Sequence, residues 1–180
     1  MEHNYLQSAI KLFRYYKSLA DAAINRCPED LIHYKFNEES NSLALIIRHL
    51  SGNMLSRWTD FLTSDGEKPW RNRDEEFEDP TWDKDSLIKQ SEKGWAALFT
   101  ALEQLTTSDL ETIVYIRNEG HTVMEAINRQ IAHYAYHTGQ MVFLVKAITT
   151  EWETLSIARN KSIDYNSAKF DQEKGQRHFV

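Results

Sequence analysis

A chain of 180 residues, 41% hydrophobic and 27% charged, is long enough for one domain that buries most of its surface. Its net charge of −6, with no stripe of basic residues interleaved with aromatics, excludes nucleic acid as the main partner, because neutralising phosphates needs lysine and arginine. No apolar run approaches the roughly 18–20 residues that span a bilayer, so no membrane partner is expected.

The N-terminal stretch MEHNYLQSAIKLFRYYKS is polar throughout and lacks the apolar segment of a signal peptide. Cys27 is the only cysteine, which excludes an intramolecular disulfide and suits a reducing cytoplasm; beside Pro28 it reads as a passive, small apolar residue.

Leu6, Ala9, Ile10, Phe13, Ala20 and Ile24 recur at helical spacing and predict a first helix over about residues 3–26, ended by Pro28. Residues 28–39 read as a loop with a short extended piece from Leu31 to Phe36. A second helix is expected from Ser40 or Asn41, both good caps, through Leu43, Ile46, Leu50, Met54 and Trp58 to about Asp65-Gly66. Residues 66–82, rich in charge and carrying two prolines, form a loop of a length that is often functional or mobile, and its alternating charges read as a solvated surface. The third helix starts near Asp83 or Asp85 and breaks at Thr106 to Asp109. Ile113, Tyr115 and Val123 alternate around Asn118-Glu119-Gly120, which predicts a short β-hairpin. A fourth helix follows over about 123–149. The expected architecture is an all-α four-helix bundle over residues 1–150, with a tail over 151–180 that packs on it or trails from it.

Seven histidines occur. His3, His33 and His178 lie near termini or in loops without a partner pattern and read as surface side chains, and His121 falls in the hairpin turn. His133 and His137, at i and i+4, share one helical face at the separation from which two imidazoles reach one ion. Gln130 and Gln140 extend that polar stripe along an otherwise apolar face, where unpartnered burial is costly. His49 sits in the apolar run LALIIRHLSGNML beside Gly52, a poor helix former that leaves space next to it, and Ser42 and Ser56 continue the small-residue stripe. The pattern supports a three-histidine divalent-metal site and leaves open a pair of packed core histidines. Tyr134 stands where the HExxH zinc peptidases carry glutamate, and no GxSxG, phosphate-loop or dinucleotide motif occurs.

The runs EAINRQIAHYAYHTGQMVFLVKAI (125–148) and LIIRHLSGNMLSRWTDFL (45–62) resemble the last and second helices of the DinB-like superfamily, which includes YfiT-type and bacillithiol-transferase-like proteins. WETLSIARNKSIDYN (152–166) looks like a subfamily known only as a domain of unknown function. The resemblance implies an up-down-down-up bundle, commonly a homodimer, with a divalent ion (zinc or nickel) on His49, His133 and His137. It also implies a small-molecule substrate and metal-dependent transfer of a low-molecular-weight thiol to an electrophile. Metal-dependent hydrolysis and a non-catalytic metal-binding or dimerisation module are the alternatives. Tyr134, Gln130, Gln140 and Asn53 are candidates to orient the ligands, while Glu125 and Glu119 are weak candidates for a general base.

Overall fold

The computed structural model describes residues 5–174, so His3 and His178 lie outside the described residues. Four long helices carry the architecture: α1 (Tyr5–Arg26), α2 (Leu43–Trp58), α3 (Lys84–Glu103) and α4 (Val123–Ile148). A hairpin of β1 (Ile113–Ile116) and β2 (Glu119–Thr122) precedes α4, and a short α5 (Ser162–Phe170) follows it.

Local chemistry sets the helix starts. The Ser42 hydroxyl accepts from Leu45 N and the Asp83 carboxylate from Ser86 N, each supplying a first-turn donor with its missing partner. Thr122 and Glu125 form a reciprocal capping box on α4, so Glu125 is a helix cap.

Side-chain pairings fix the directions. Tyr5 bonds Met124 O and Asn128, and Phe13 meets Tyr134, so α1 and α4 run parallel. Gly94 packs against Ser51 and Met54, while Trp58 and Ala101 line one cleft, so α2 and α3 are parallel too. Arg14 pairs with Glu103 and Lys17 with Glu92, which makes α1 and α3 antiparallel. The bundle is therefore up-down-down-up. Parallel α2 and α3 require the connection between them to travel back along a 16-residue helix, about 24 Å. That requirement explains the long segment between Trp58 and Lys84.

Phe13, Trp58, Trp95 and Tyr134 meet at the centre of the core, with ring centroids 5.8–6.2 Å apart. Trp58 Nε1 donates to the Tyr134 hydroxyl (3.0 Å), which donates to Asn53 Oδ1 (3.0 Å), joining α2 to α4 inside the apolar layer. Burial pushes the Tyr134 hydroxyl well above its ordinary pKa, so it stays a neutral donor. Cys27 is buried in the same core, and burial raises its thiol to about 11, which keeps it unreactive.

Several expected boundaries move. The piece from Leu31 to Phe36 is not extended: Glu29–Leu31 form a 3-10 turn that delivers Ile32 into the core. Ser40 is occupied in a turn with Asn37, so Ser42 caps α2 instead. α2 stops at Trp58 rather than near Gly66, because Asp60 takes a left-handed conformation and Ser56 and Arg57 both donate to Gly66 O, folding the chain back. The hairpin turn is Arg117-Asn118, both at positive φ, with Val114 and Ile116 facing inward. After α4, Trp152 packs on the core beneath the Arg26 guanidinium, and α5 is exposed throughout. Among the described residues no helix is long and apolar enough to cross a membrane.

Tyr134→Phe leaves the Trp58 N–H and Asn53 Oδ1 buried without their partner. We expect a loss of about 1–3 kcal/mol in chemical denaturation. An unchanged midpoint would mean the three-residue chain contributes no net stability.

Candidate metal centre

Because α4 runs against α2, the histidine face of one meets the histidine of the other. His49 comes from the middle of α2, and His133 and His137 from successive turns of α4. One nitrogen from each lies within 4.8 Å of the others, and the Nε2 atoms of His49 and His133 are 3.2 Å apart. All three predicted residues are thus brought together.

The outward-facing nitrogens explain the orientation. His49 Nδ1 donates to Glu76 Oε2 (3.0 Å), and His137 Nδ1 donates to Gln140 Oε1 (2.8 Å). An ionised carboxylate can only accept, so the His49 proton sits on Nδ1 and its Nε2 lone pair points inward. Phe77 stacks on the His49 ring, 5.3 Å between centroids, and covers its other side. Burial first, then the neighbouring histidines, and then Arg57 and Arg71 lower the His133 pKa to about 3. Burial and His49 lower His137 to about 4, with the Gln140 bond opposing. At neutral pH both are uncharged imidazoles, the form that ligates metals.

Glu76 is held as firmly as the ring it orients. Arg71 grips it with Nε to Oε1 (2.7 Å) and Nη2 to Oε2 (2.8 Å), and the two side chains are only 3% and 7% exposed. Burial raises the Glu76 pKa, but Arg71 and His49 outweigh it and hold the carboxyl below its usual range. Gly52 makes room for this carboxylate: a Cβ there would stand 2.9 Å from Glu76 Cδ and closer still to Oε1.

The 66–82 segment is therefore not a merely solvated loop. Lys68 and Glu76 are buried, and Glu67 pairs with Arg57, Arg71 and Arg117 at 3.2–3.4 Å. Asp65 accepts from the backbone N–H groups of Arg117 and Asn118, tying the hairpin turn to the same segment. His33, expected to lack partners, bonds Asp79 (2.6 Å) and Trp82 O (2.8 Å) and pins the far end. His121 lies in β2 opposite Val114 rather than in the turn, and its Nε2 is buried without a partner among the described residues.

Of the four candidate orienting residues, Gln140 bonds a histidine directly. Asn53 and Gln130 line a cavity of about 340 Å³ in front of the three rings, while Tyr134 turns away toward Trp58 and Asn53. Glu76, Arg71 and Phe77 lack any sequence periodicity that would assign them to the site. Gly52 was the available signal, since a glycine beside a helical histidine invites a large group from elsewhere in the chain.

The family model described as "Protein of unknown function (DUF1572)" matches residues 1–161. A crystal structure of a DinB-like protein, YjoA, from Bacillus subtilis superposes with a TM-score of 0.59 at 19% identity, covering 81% of this chain and 95% of that one. At that identity the likeness speaks for the fold. No curated protein matches the chain.

Gly52→Ala would gain about 1 kcal/mol of helix propensity at an open site. Here it must displace a carboxylate making charge-assisted hydrogen bonds of about 1.5–3 kcal/mol each, so net destabilisation is expected in urea unfolding; a more stable variant would show that Glu76 moves aside freely. Depressed histidine pKa values also fix the sign of a pH effect in metal-stripped protein. Unfolded, His133 and His137 regain protons near pH 6.5, while folded they stay neutral down to about 3 and 4 respectively. Stability should therefore fall as pH drops from about 6.5 to 5, above the carboxylate range, and less so in His133→Gln/His137→Gln. Equal slopes in both proteins would contradict the assignment.

Proposed function

The chain belongs to the DUF1572 family of unknown function, and we propose that it binds one divalent ion, zinc or nickel, through Nε2 of His49, His133 and His137. We propose further that it uses this ion to transfer a low-molecular-weight thiol to an electrophilic substrate. The carrying observation is the pair of Nδ1 hydrogen bonds, His49 to Glu76 and His137 to Gln140, which leave inward lone pairs converging on one point. A packed core histidine would also bond its buried N–H; what supports an ion is that the remaining ring nitrogens of three histidines from two helices face one another within 4.8 Å.

The donor set fits such an ion. Three neutral imidazoles contribute no charge, and among the described residues no fourth histidine, cysteine or carboxylate joins the cluster. Bound there, a divalent ion supplies an open position at which a thiol or water loses its proton near neutral pH. Glu76 makes His49 a stronger donor by taking its Nδ1–H, and Phe77 shields that ring from water.

Transfer is favoured over hydrolysis by what the cavity lacks. Among the described residues no aspartate or glutamate lines it, and the adjacent Glu76 already serves Arg71 and His49. The ion lowers both values, but a thiol starts from a pKa of about 8.5 and water from about 15.7, so the thiol depends less on a base beside the ion. In the reaction the thiol sulfur forms the new bond to the electrophilic carbon, while the thiol proton and the leaving group depart. An open cavity, rather than a fourth protein ligand, likewise argues against a purely structural ion.

Elemental analysis of purified protein should find about one ion per chain, lost in His133→Ala. Metal-loaded protein mixed with a panel of small thiols and a reactive electrophile should exceed the metal-stripped rate for at least one thiol. No metal in either protein would end the metal reading; rates at the stripped background for every thiol would end the transferase reading.

A further inference from the structure

The cavity in front of the histidines has a charge unlike the rest of the molecule. Half of the chain's ten arginines line it (Arg57, Arg71, Arg73, Arg117 and Arg129), and none of its eleven lysines does. The carboxylates paired with these arginines are two, Glu67 and Glu76. Five guanidiniums against two carboxylates leave an excess of three positive charges, in a protein whose net charge is −6.

The five divide by role. Glu67 and Glu76 engage Arg57, Arg71 and Arg117, which knit the 66–82 segment and the hairpin to α2. Arg73 and Arg129 have no carboxylate partner among the described residues. Arg73 lies over the Phe77 ring, 5.5 Å from its centroid, and Phe77 in turn stacks on His49. Arg129 stands on α4, one turn before His133. Two polar atoms of buried lining residues, Arg57 Nε and Gln130 Oε1, also lack a hydrogen-bond partner. Arg73 and Arg129 are exposed, so solvent satisfies them and their charge stays available to a ligand, while five like charges around one cavity raise its attraction for an anion. Arginine rather than lysine matters as well, because its planar fork matches a carboxylate or phosphate with two hydrogen bonds.

We infer that the substrate taken in front of the three histidines carries an anionic group, a carboxylate or phosphate, held by Arg73 and Arg129. The inference deepens the metal-site reading by naming the class of molecule, yet the arginines belong to the protein with or without the ion. Arg73 and Arg129 act as binding and positioning residues, with the stacked Phe77 keeping the anion's anchor beside His49.

Calorimetric titration with succinate and with glycerol 1-phosphate separates the two sources of the anion, with succinamide and glycerol as neutral controls. Each is run on metal-loaded and metal-stripped protein, on Arg73→Gln/Arg129→Gln, and on Arg159→Gln, an exposed arginine of the tail. We expect saturable binding of at least one anion and of neither neutral control. It should weaken about tenfold or more in the double variant and remain unchanged in Arg159→Gln. Circular dichroism matching the wild type establishes that the double variant is folded; if it is not, the single variants Arg73→Gln and Arg129→Gln carry the same comparison. Anion binding by stripped protein that depends on Arg73 and Arg129 would uphold this inference even if no metal were found. Metal-loaded protein that binds neither anion, or binds them equally in the double variant, would overturn it and leave the metal site standing.

Discussion

The Glu76 carboxylate is divided between Arg71, which grips it with two nitrogens, and His49, which donates a hydrogen bond to it from Nδ1; it reaches both because residue 52 has no Cβ. Most of the site's geometry depends on this contact. It fixes the tautomer of the one histidine supplied by α2. It also stops the 66–82 segment from lying loosely on the surface, since Arg71 passes the connection on to Glu67 and through it to Arg57 and Arg117. A buried ion pair is a weak source of stability, because desolvating two charges offsets most of their attraction. Its value here is positional: it tells an irregular stretch of chain where to stop.

Topology supplies the opportunity. Two parallel neighbouring helices need a connection that returns the full length of one of them, and this connection passes the middle of α2, where His49 lies. A tight turn between antiparallel helices could not have brought a carboxylate there. The residues that bind the ends of the segment, His33 at Asp79 and Asp65 at the hairpin turn, hold it along that path.

These facts mark what was legible in the sequence. The four helices were, because apolar side chains at helical spacing and a capping residue such as Asp83 are local signals. The histidine cluster was legible in part: His133 and His137 announce themselves by spacing, and His49 by lying on the face of another helix. Glu76, Arg71 and Phe77 were not, since DEEF among other charged residues has the composition of a solvated loop and its burial follows from the path of the chain. The expected end of α2 failed for a similar reason. Nothing periodic stops that helix at Trp58; it stops because Ser56 and Arg57 spend their donors on Gly66 O.

Electrostatics joins the two halves of the site. After burial and the other two histidines, Arg57 and Arg71 are what oppose a proton on His133. The same positive surroundings that keep an imidazole free to ligate also attract an anion into the cavity. In a chain of net negative charge, such a concentration of guanidinium groups cannot follow from composition, and pairing accounts for only three of the five. A site built to hold a cation alone would be expected to surround it with carboxylates, which lower the total charge. Surrounding neutral imidazoles with arginines instead makes sense when the remaining negative charge arrives with the molecule to be bound.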